Sequence, residues 1–548
     1  MKTLFVDTFE YLKAMNKYPA APAGLLNLTA IMQENGHEAE IINFNYLFLN
    51  RMLPYAADSR DKFRVMAEYL IAKKPDIIGF TSVCSLFHNA LYLAKVIKEL
   101  DKTIIILFGG PHVSGFPANI LERYSWVDAV CVGEAETTIA AIAEGMIAGE
   151  LSGVAGVVYR HGGKVVENPP PPLIEDLDNL PLIDYTQIPS FADIREIPLE
   201  TGRGCPYRCI YCSTSGFWQR KFRVKSIERI CREIDSCQRA LGGKKVFYNF
   251  VHDNFTTNYE FTAKLCQRLK EFGIDWGCGA RVDTLDEPLI SLMAEAGCRS
   301  VLIGLETASP AMQSYIRKDL DLEKFLHLVD VLTEHKITVI VSFIYGFPPE
   351  TEEDLKATLR MVSCLLAKGV YSHLHSLGVL YGTPLYDMYQ DKLILGEYYS
   401  DLADTANLAV CMDWIRADKE IFSQFYSLPD TLASRYSMLD KFVNLIYIKL
   451  YALFPATLAA LLRSFDDDLL AFYHDFIRAD TGFADFIESG EYNAAAVEDG
   501  FVSERSPLGR KLIGFLTEYI NEKSFCDFAY KLICQRFCAE KETAASRF

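Results

Sequence analysis

Positive charge is scarce in this 548-residue chain, which has 55 Lys and Arg residues against 72 Asp and Glu residues. The formal net charge is −17 and the sequence pI is near 5.2. A broad nucleic-acid-binding surface needs clustered Lys and Arg to meet the phosphate charges. The composition therefore predicts no nucleic-acid partner, although a local basic pocket is compatible with it.

Long uninterrupted apolar runs are also missing. Residues 442–462 have nearly membrane-spanning length, but Asn444, Lys449 and Pro455 interrupt them. We predict a buried or interfacial helix pair broken at Pro455, with membrane contact as the less favoured alternative. The first residues, MKTLFVDTFEYL, lack a long apolar stretch followed by a small-residue cleavage site. We therefore expect a cytoplasmic protein whose 15 cysteines are reduced, as buried apolar residues or metal ligands.

Internal repeats and low-complexity tracts are absent, and the length suggests about three domains. The first 150 residues alternate short apolar strands with helical stretches, which predicts a doubly wound, Rossmann-like α/β domain over residues 1–160. Its five predicted strands are Thr3–Val6, Glu40–Asn43, Asp76–Thr81, Thr103–Phe108 and Ala129–Val132. Its four predicted helices are Gly24–Asn35, Ser59–Lys73, Asn89–Leu100 and Glu136–Ala148. Ligands of such sheets lie beyond the carboxyl ends of the strands.

A Pro-rich, acidic linker is predicted over residues 161–194, around Pro169–Pro172. Strand–helix alternation then resumes and predicts a partial (β/α)6 barrel over residues 195–389, with functional groups at the carboxyl ends of its strands. Helical periodicity dominates residues 390–548. The six predicted barrel strands are Ile197–Thr201, Lys245–Phe250, Asp275–Gly279, Arg299–Leu305, Thr338–Phe343 and Ser372–Leu377.

Three cysteines stand at C-x3-C-x2-C spacing just after the first barrel strand, in TGRGCPYRCIYCS. Closely spaced thiolates suit an iron–sulfur cluster, and three ligands leave one iron open for a substrate or cofactor. The alternatives are a zinc site completed by a remote ligand, or coincidence among many cysteines. The pattern favours a cluster on Cys205, Cys209 and Cys212.

The segment CPYRCIYC resembles the signature of the radical S-adenosylmethionine (SAM) family. Further stretches resemble the family's later motifs in the expected order: FYNFVHDNFT, WGCGARVDTL, GLET, FIYGFPPETEEDL and YGTPLY. The resemblance implies a 4Fe–4S cluster whose open iron binds SAM and cleaves it to a 5′-deoxyadenosyl radical. It also implies that Asp253, Asn254, Arg281 and Glu306 contact SAM, where a strand-end salt bridge or helix cap is the alternative role for each.

The first domain resembles the cobalamin-binding domain of cobalamin-dependent radical SAM enzymes, in PAAPAGLLNLTAIMQENGHEAEIINFN, KPDIIGFTSVCS, ILFGGPHVSGFP and DAVCVGEAETT. The resemblance implies cobalamin contacts at the strand ends, from Thr81, Ser82, Ser85, Gly109, Gly110, Gly133 and Glu134. The axial-histidine motif D-x-H-x-x-G of other cobalamin proteins is missing. His112 comes nearest to it but lacks the aspartate that would orient its ring, so we expect cobalt without a protein histidine.

Two further groups have simpler interpretations. Cys526, Cys534 and Cys538 lie at helical spacing, but Cys526 and Cys534 together with the apolar Phe525, Tyr530 and Phe537 predict a buried stripe more simply than a second cluster. His373 and His375 alternate on a predicted strand, and a polar-core role is favoured over substrate acid–base chemistry.

The resemblance implies a cobalamin-dependent radical SAM methyltransferase that acts on an unactivated carbon of a small-molecule or peptide substrate. It would need an external one-electron reductant of the flavodoxin or ferredoxin type. One alternative is a cyclase, a rearrangement enzyme or a peptide-modifying enzyme without methyl transfer. Another is a non-catalytic cobalamin or redox sensor, which the intact cysteine motif disfavours.

Overall fold

The structure is a computed structural model that describes residues 1–7 and 23–478, except positions 55, 57, 397, 398, 401, 406, 454 and 464. Within this part, two parallel sheets carry helices on their faces, as the strand–helix alternation predicts. The helical segments that follow the second sheet lie against both of them.

The first sheet has seven strands in the order β2-β1-β3-β4-β5-β6-β7. Its first five strands are parallel, and β6 and β7 add an antiparallel hairpin. The strands are β1 Lys2–Asp7, β2 Glu38–Asn43, β3 Ile77–Thr81, β4 Ile105–Gly109, β5 Ala129–Cys131, β6 Val157–His161 and β7 Lys164–Glu167. The helices are α1 Ala23–Glu34, α2 Phe44–Leu49, α3 Ser59–Ala72, α4 Phe87–Leu100, α5 Pro117–Arg123 and α6 Ile139–Ala148.

The hairpin adds two strands to the five that the sequence predicts for this sheet. Gly162 and Gly163 form its two-residue turn with φ of +58° and +79°, which suits glycine. The sheet therefore runs to Glu167, and we propose that residue as the end of the first domain.

The second sheet has six parallel strands in the order β8-β11-β12-β13-β14-β15. Within the described residues β15 does not pair with β8, so the barrel is partial, as predicted. The strands are β8 Glu196–Glu200, β9 Gly202–Arg203, β10 Arg223–Val224, β11 Phe247–Val251, β12 Asp275–Ala280, β13 Cys298–Glu306, β14 Thr338–Tyr345 and β15 Tyr371–Ser376, of which β9 and β10 form a separate ribbon. The helices are α7 Thr214–Phe217, α8 Ile227–Leu241, α9 Tyr259–Leu269, α10 Glu287–Glu295, α11 Pro310–Tyr315, α12 Leu322–Glu334, α13 Glu352–Ala367 and α14 Pro384–Tyr389.

The two faces of the second sheet differ in burial. One face packs against the helices through side chains such as Phe250, Ile303, Val341 and Leu374. Side chains at alternate positions point to the opposite, concave face and are partly or fully exposed there. The helices start where the sequence supplies caps, as at α13, where Thr351 and Asp354 form a capping box.

The described chain between residues 390 and 478 is mostly helical, with one short antiparallel pair, β16 Ile394–Leu395 and β17 Tyr426–Ser427. Its described helices are α15 Leu408–Ala417, α16 Leu432–Arg435, α17 Leu439–Lys441, α18 Ile448–Leu453, α19 Pro455–Arg463 and α20 Leu469–Arg478, with a π-helical turn over Phe442–Tyr447. Pro455 begins α19, so the apolar stretch is broken there as expected. Among the described residues, no helix has both the length and the apolar character that crossing a membrane requires.

Candidate active site

The cysteine loop begins directly after β9, near the carboxyl end of β8, and lies between the two strands of the β9–β10 ribbon. Gly204 has φ of +88°, and a Cβ there would lie 1.9 Å from the backbone oxygen of Lys221, so only glycine fits. Its N–H donates to the Asp253 carboxylate at 2.9 Å. The start of the loop is therefore fixed against the end of β11.

Cys205, Cys209 and Cys212 follow Gly204 in this loop. Cys209 is buried, whereas Cys205 and Cys212 are half-buried, and the Cys212 N–H donates to the Cys209 carbonyl at 3.3 Å. Burial raises the pKa of the Cys205 and Cys209 thiols, and the nearby cations Lys318 and Arg281 oppose this rise at Cys209. No three His, Cys, Asp or Glu side chains in the described ranges stand in ready metal-coordinating geometry, so the thiols must turn toward a common point to hold a cluster.

Arg281, predicted to contact SAM, lies beside Cys209 at the end of β12. Its Nη1 donates to Cys209 Sγ at 3.7 Å, and its guanidinium lies over the Tyr207 ring at 3.8 Å. Nε and Nη2 hold both carboxylate oxygens of Asp283 at 2.9 and 3.0 Å. Nη2 also donates to the Lys318 carbonyl at 3.0 Å. Most of its donors are therefore used by the protein, and its charge faces a cysteine sulfur.

Glu306, also predicted to contact SAM, has an uncommon backbone conformation at the end of β13. Its φ is +69°, in the left-handed region that non-glycine residues rarely adopt, and it lies at a register shift between β13 and β14. Its Oε1 accepts from Lys318 Nζ at 2.8 Å and from the Tyr211 hydroxyl at 3.0 Å. This backbone strain aims a carboxylate at the cysteine loop, as strain at functional sites commonly does.

Asp253 and Asn254 lie at the end of β11, beside the loop. Asn254 is 1% exposed, and its Nδ2 has no hydrogen-bond partner among the described residues. A buried amide without a partner is costly unless a bound group accepts from it, so this donor fits a polar cofactor such as SAM. Asp253 is exposed and is held by Gly204 as described above.

The predicted cobalamin contacts lie together at the carboxyl ends of β3, β4 and β5. Ser82 is buried, and its Oγ donates to the Gly109 carbonyl at 2.9 Å. Gly110 has φ of +105°, and a Cβ there would lie 2.8 Å from the Ser82 backbone oxygen. These contacts hold the ends of β3 and β4 together.

The loop after β5 joins the same edge. The Ser114 hydroxyl donates to the Gly110 carbonyl at 2.8 Å and accepts from the Gly133 N–H at 3.1 Å. Thr81 and Ser85 are half-buried beside an exposed Val83. Glycine backbone and an exposed valine at adjacent strand ends make a surface that fits a large planar ring.

His112, in the loop after β4, lies in an aromatic cluster. Its ring centre is 4.9 Å from those of both Phe87 and Phe116. Burial lowers its pKa to about 3, although a hydrogen bond to the Ile421 carbonyl opposes this, and Nε2 has no partner in the described part of the chain. The neutral ring therefore packs between hydrophobic neighbours.

Glu134 has different partners from those predicted. Its two carboxylate oxygens accept from Arg203 Nη1 at 2.7 Å and from Arg223 Nη1 at 2.8 Å, and the Ile174 N–H adds a third bond at 2.7 Å. Burial alone would raise the pKa of Glu134, but the hydrogen bonds from Arg223 and Arg203 hold it below its usual range. Both oxygens are thus used by protein donors from the second domain.

Arg203 belongs to a buried ionic network that was not predicted from the sequence. Besides Glu134, it binds Glu136 at 2.6 Å and Glu200 at 2.8 Å. The network, which we call the interdomain ionic network, consists of Glu134, Glu136, Glu200, Arg203, Arg223, Lys225, Arg229 and Glu233, with equal numbers of acids and bases. The one available signal was Arg203 itself, a charged residue directly before the cysteine loop.

Two other predictions concern residues outside this site. Cys526, Cys534 and Cys538 lie outside the described residues. His373 and His375 lie on the concave face of β15, with ring centres 6.3 Å apart. They are not in a closed polar core, because His373 is exposed and His375 half-buried.

Comparison with protein families gives two matches along the chain. Residues 13–143 match the B12 binding domain and residues 199–362 match the radical SAM superfamily. The first match covers the sheet with the glycine-lined strand ends, and the second covers the cysteine loop and most of the partial barrel.

Curated relatives include methyltransferases and cyclases. An uncharacterised methyltransferase of Pyrococcus horikoshii is 31% identical over 374 residues, which is 67% of this chain and 78% of the relative. An anaerobic magnesium-protoporphyrin IX monomethyl ester cyclase of Rubrivivax gelatinosus is 28% identical over 55% of this chain and 56% of the relative.

Solved structures with the same fold include two cobalamin enzymes. The cobalamin-dependent SAM radical enzyme OxsB with aqua-cobalamin bound has a TM-score of 0.63 at 16% identity, covering 98% of this chain and 84% of its own. The radical SAM methyltransferase TsrM from Kitasatospora setae, with cobalamin and a 4Fe–4S cluster bound, has a TM-score of 0.58 at 19% identity, covering 73% and 79%.

Proposed function

Because this chain belongs to the radical SAM enzymes that carry an N-terminal cobalamin-binding domain, we propose that it methylates an unactivated carbon of a small-molecule or peptide substrate. The chain is an enzyme that uses a 4Fe–4S cluster, SAM and cobalamin. Methyl transfer to carbon is the step that goes beyond this family assignment.

The observation that carries the proposal is the contact between two surfaces, the glycine-lined strand ends of the first sheet and the cysteine loop at the strand end of β8. The interdomain ionic network binds Glu134, which follows the glycine-lined end of β5, to Arg203, which precedes the cysteine loop. A methyl carrier and a radical source must reach one substrate atom, and holding reactants in fixed geometry is a large part of catalysis. The network supports such an arrangement because it fixes one surface relative to the other.

In this proposal Cys205, Cys209 and Cys212 hold the cluster, and Asn254 and Glu306 contact SAM. When bound, the cofactors supply a substrate radical and a methyl group. The residues of this chain bind and orient them. Arg281 keeps a positive charge at Cys209 Sγ, Glu306 offers a carboxylate to an ammonium or hydroxyl group, and Asn254 offers an unpaired amide N–H.

The surface made by Thr81, Ser82, Ser85, Gly109, Gly110, Gly133 and Ser114 is the proposed cobalamin platform. Glu134 is left out of this set, because its oxygens are engaged by Arg203 and Arg223. Thr81 and Ser85 stay in it as half-buried hydroxyls at the same edge.

Product analysis tests methyl transfer. The anaerobically reconstituted protein is supplied with methyl-deuterated SAM, a reductant such as reduced flavodoxin, and a candidate substrate. We expect S-adenosylhomocysteine and 5′-deoxyadenosine in equal amounts and a product that gains the labelled methyl group. If 5′-deoxyadenosine forms without S-adenosylhomocysteine and without label in the product, methyl transfer is wrong.

That outcome would favour a second function, radical cyclisation or rearrangement. The relatives named magnesium-protoporphyrin IX monomethyl ester cyclase support this candidate, since they match more than half of this chain. The same labelling experiment separates the two functions: a cyclase consumes SAM only to form 5′-deoxyadenosine, so its product carries no deuterium from SAM.

A further inference from the structure

The segment that carries the cysteine loop has a charge opposite to that of the whole chain. Residues 201–226 contain six Lys or Arg residues and no Asp or Glu, in a chain whose formal net charge is −17. Three of the six belong to the interdomain ionic network, where carboxylates neutralise them. The other three, Arg208, Arg220 and Lys221, are exposed. This segment therefore presents only positive charge to the surface.

The fold brings a fourth exposed cation to the same loop. The Ile210 N–H donates to the Ile316 carbonyl at 3.2 Å, which places Arg317 beside the second half of the loop. At the start of the loop, a Cβ on Gly204 would lie 1.9 Å from the Lys221 carbonyl oxygen. Exposed cations therefore lie near both ends of the cysteine loop. We call the four of them the outer cation patch: Arg208, Arg220, Lys221 and Arg317.

Most of the charge of this patch is not neutralised by the protein itself. Its three arginines form no ion pair with another residue in the described part of the chain. Lys221 pairs with Glu175 at 2.7 Å, and Asp319 is an exposed acid two residues after Arg317. An exposed guanidinium without a partner is free to form paired hydrogen bonds with a carboxylate of another molecule.

The cysteine loop is also accessible from this surface. Cys205 and Cys212 are half-buried, whereas Cys209 is buried, and Pro206 and Ser213 beside them are exposed. No large apolar side chain that the structure describes between residues 201 and 226 is exposed. A partner that binds here therefore meets positive charge and two accessible cysteines, not an apolar face.

Charge selects the kind of partner that this surface fits. An acidic protein is repelled by the rest of this chain and attracted by the outer cation patch, so it approaches in one orientation. Transient electron-transfer complexes have small interfaces that suit such a patch. A one-electron carrier must also come close to the cluster, because electron transfer slows steeply with distance.

We propose that the outer cation patch is the docking surface for an acidic one-electron carrier protein that reduces this enzyme. One electron leaves the reduced carrier, which is oxidised by one electron, and reduces the cluster on the cysteine loop by one electron. No covalent bond forms or breaks in this step. The inference goes beyond the proposed function, because a methyltransferase and a cyclase need the same electron.

Equilibrium binding tests the inference without turnover. Isothermal titration calorimetry measures the affinity of the full-length protein, reconstituted with its cluster, for two acidic carriers, oxidised flavodoxin and an oxidised 2Fe–2S ferredoxin. We expect the wild type to bind at least one of these probes. Binding should weaken about tenfold when the NaCl concentration rises from about 50 to about 300 mM, because salt screens exposed charges.

Two variants of the patch locate the surface. The charge-reversed variant R208E/R220E/R317E should bind the probe at least about tenfold more weakly than the wild type, because each carrier carboxylate then faces a like charge. The variant R208K/R220K/R317K keeps the charge and should stay within about twofold of the wild type. Iron content and urea denaturation confirm that each variant is loaded and folded.

A control variant carries the same change in net charge elsewhere. R232E/K245E/K336E reverses three exposed cations, on α8 and directly before β11 and β14, at a distance from the carboxyl ends of the strands where the cysteine loop lies. Its affinity for the probe should stay within about threefold of the wild type, because distant exposed charges are screened.

Four results would overturn the inference: no binding of either probe by the wild type, an unchanged affinity in R208E/R220E/R317E, an equal loss in the lysine variant, or an equal loss in the control. None of these measurements depends on SAM cleavage. A failure of methyl transfer therefore leaves the test intact, and a methylating protein whose affinity for the carriers ignores the patch contradicts this inference alone.

Discussion

Cys209 has the most crowded surroundings of the three cysteines, with Arg281 Nη1 at 3.7 Å and Lys318 close enough to oppose the effect of burial on its pKa. Cluster ligands bind as thiolates, and nearby cations favour the thiolate. This part of the loop therefore combines a buried sulfur with positive charge.

Removing the thiols should remove the cluster. After anaerobic reconstitution, the wild type should contain about four iron and four sulfide and show a broad charge-transfer band. The triple variant C205A/C209A/C212A should lose both. Cys364→Ala is the matched control, because Cys364 is an exposed cysteine on α13. A band that survives in the triple variant would assign the cluster to other cysteines.

Removing the charge beside Cys209 should change the cluster without removing it. Arg281→Gln takes a cation and a hydrogen bond away from a ligand sulfur, and both stabilise the more negative, reduced cluster. We expect full iron loading with a more negative midpoint potential, measured by redox titration followed by electron paramagnetic resonance. An unchanged potential would mean that Arg281 does not act on the cluster.

The cobalt should have no histidine below it. His112→Phe keeps a ring between Phe87 and Phe116 and removes only the nitrogens. We expect one bound cobalamin with a base-off absorption spectrum, the same in wild type and variant. A spectrum that changes in His112→Phe would identify the unpartnered Nε2 as an axial ligand.

At the level of single residues, the sequence predicted which residues belong to the candidate site better than it predicted their contacts. The motif spacing singled out Cys205, Arg281 and Glu306, because those signals are local. It missed Asp283 and Lys318 as partners, although Asp283 is close to Arg281 in the chain, because a partner depends on where a loop turns. The cofactor role predicted for Glu134 took no account of Arg203 and Arg223, because these charge partners lie in another domain.

Between elements, the interdomain ionic network holds the end of β5 to the β9–β10 ribbon. Arg203 and Glu134 side chains are 4% and 1% exposed, so each would be a buried unpaired charge without the other. Burying an unpaired charge costs far more than a surface ion pair gains.

Breaking the network should strongly destabilise the protein. Arg203→Met leaves three carboxylates short of a donor, and we expect a loss of about 3–5 kcal/mol in the free energy of unfolding. The control is Lys368→Met, which breaks a partly exposed pair with Asp330 and should cost at most about 1 kcal/mol. Urea denaturation of both variants measures the difference. Equal losses would show that the network does not stabilise the domain contact.

The same network predicts a pH dependence. The pKa of Glu200 is lowered, because Arg203 and Lys225 outweigh the effect of burial, and the pKa of Glu134 is lowered as well. A carboxyl with a depressed folded pKa stabilises the fold above its unfolded value, about 4.3, and this stabilisation is lost as pH falls through the folded value. The stability difference between wild type and Glu134→Gln should therefore be constant from pH 7 to 5 and shrink below about 4.3. A difference that stays constant to pH 3 would contradict this linkage.

The elements themselves were largely predictable. Alternation of apolar strands and capped helices fixed the six barrel strands within a few residues, because each has a local pattern. The β6–β7 hairpin was missed, although two glycines between valine-rich runs are a hairpin signal, since the adjacent prolines favoured a linker.

For the whole molecule, the order of domains was predictable from sequence and their contact was not. Packing between surfaces that are distant in sequence depends on side chains of both surfaces. The sequence pattern of one surface does not indicate which other surface it contacts. Tyr381 against Phe116, and Phe422 against Phe87, bring the region after the barrel onto the first domain. The exposure of the concave face could not be predicted either. A period of two predicts that His373 and His375 lie on the same face of β15, but not whether that face is covered.

The position of Glu134 and Arg203 along the chain has a consequence during synthesis. The first domain leaves the ribosome complete well before residue 203, and domains fold as units from the amino end. A newly made first domain therefore exposes two carboxylates, Glu134 and Glu136, that do not yet have an arginine to pair with. These ion pairs can form only after Arg203 and Arg223 have emerged, so the end of β5 and the start of the cysteine loop take their final relative positions late in synthesis.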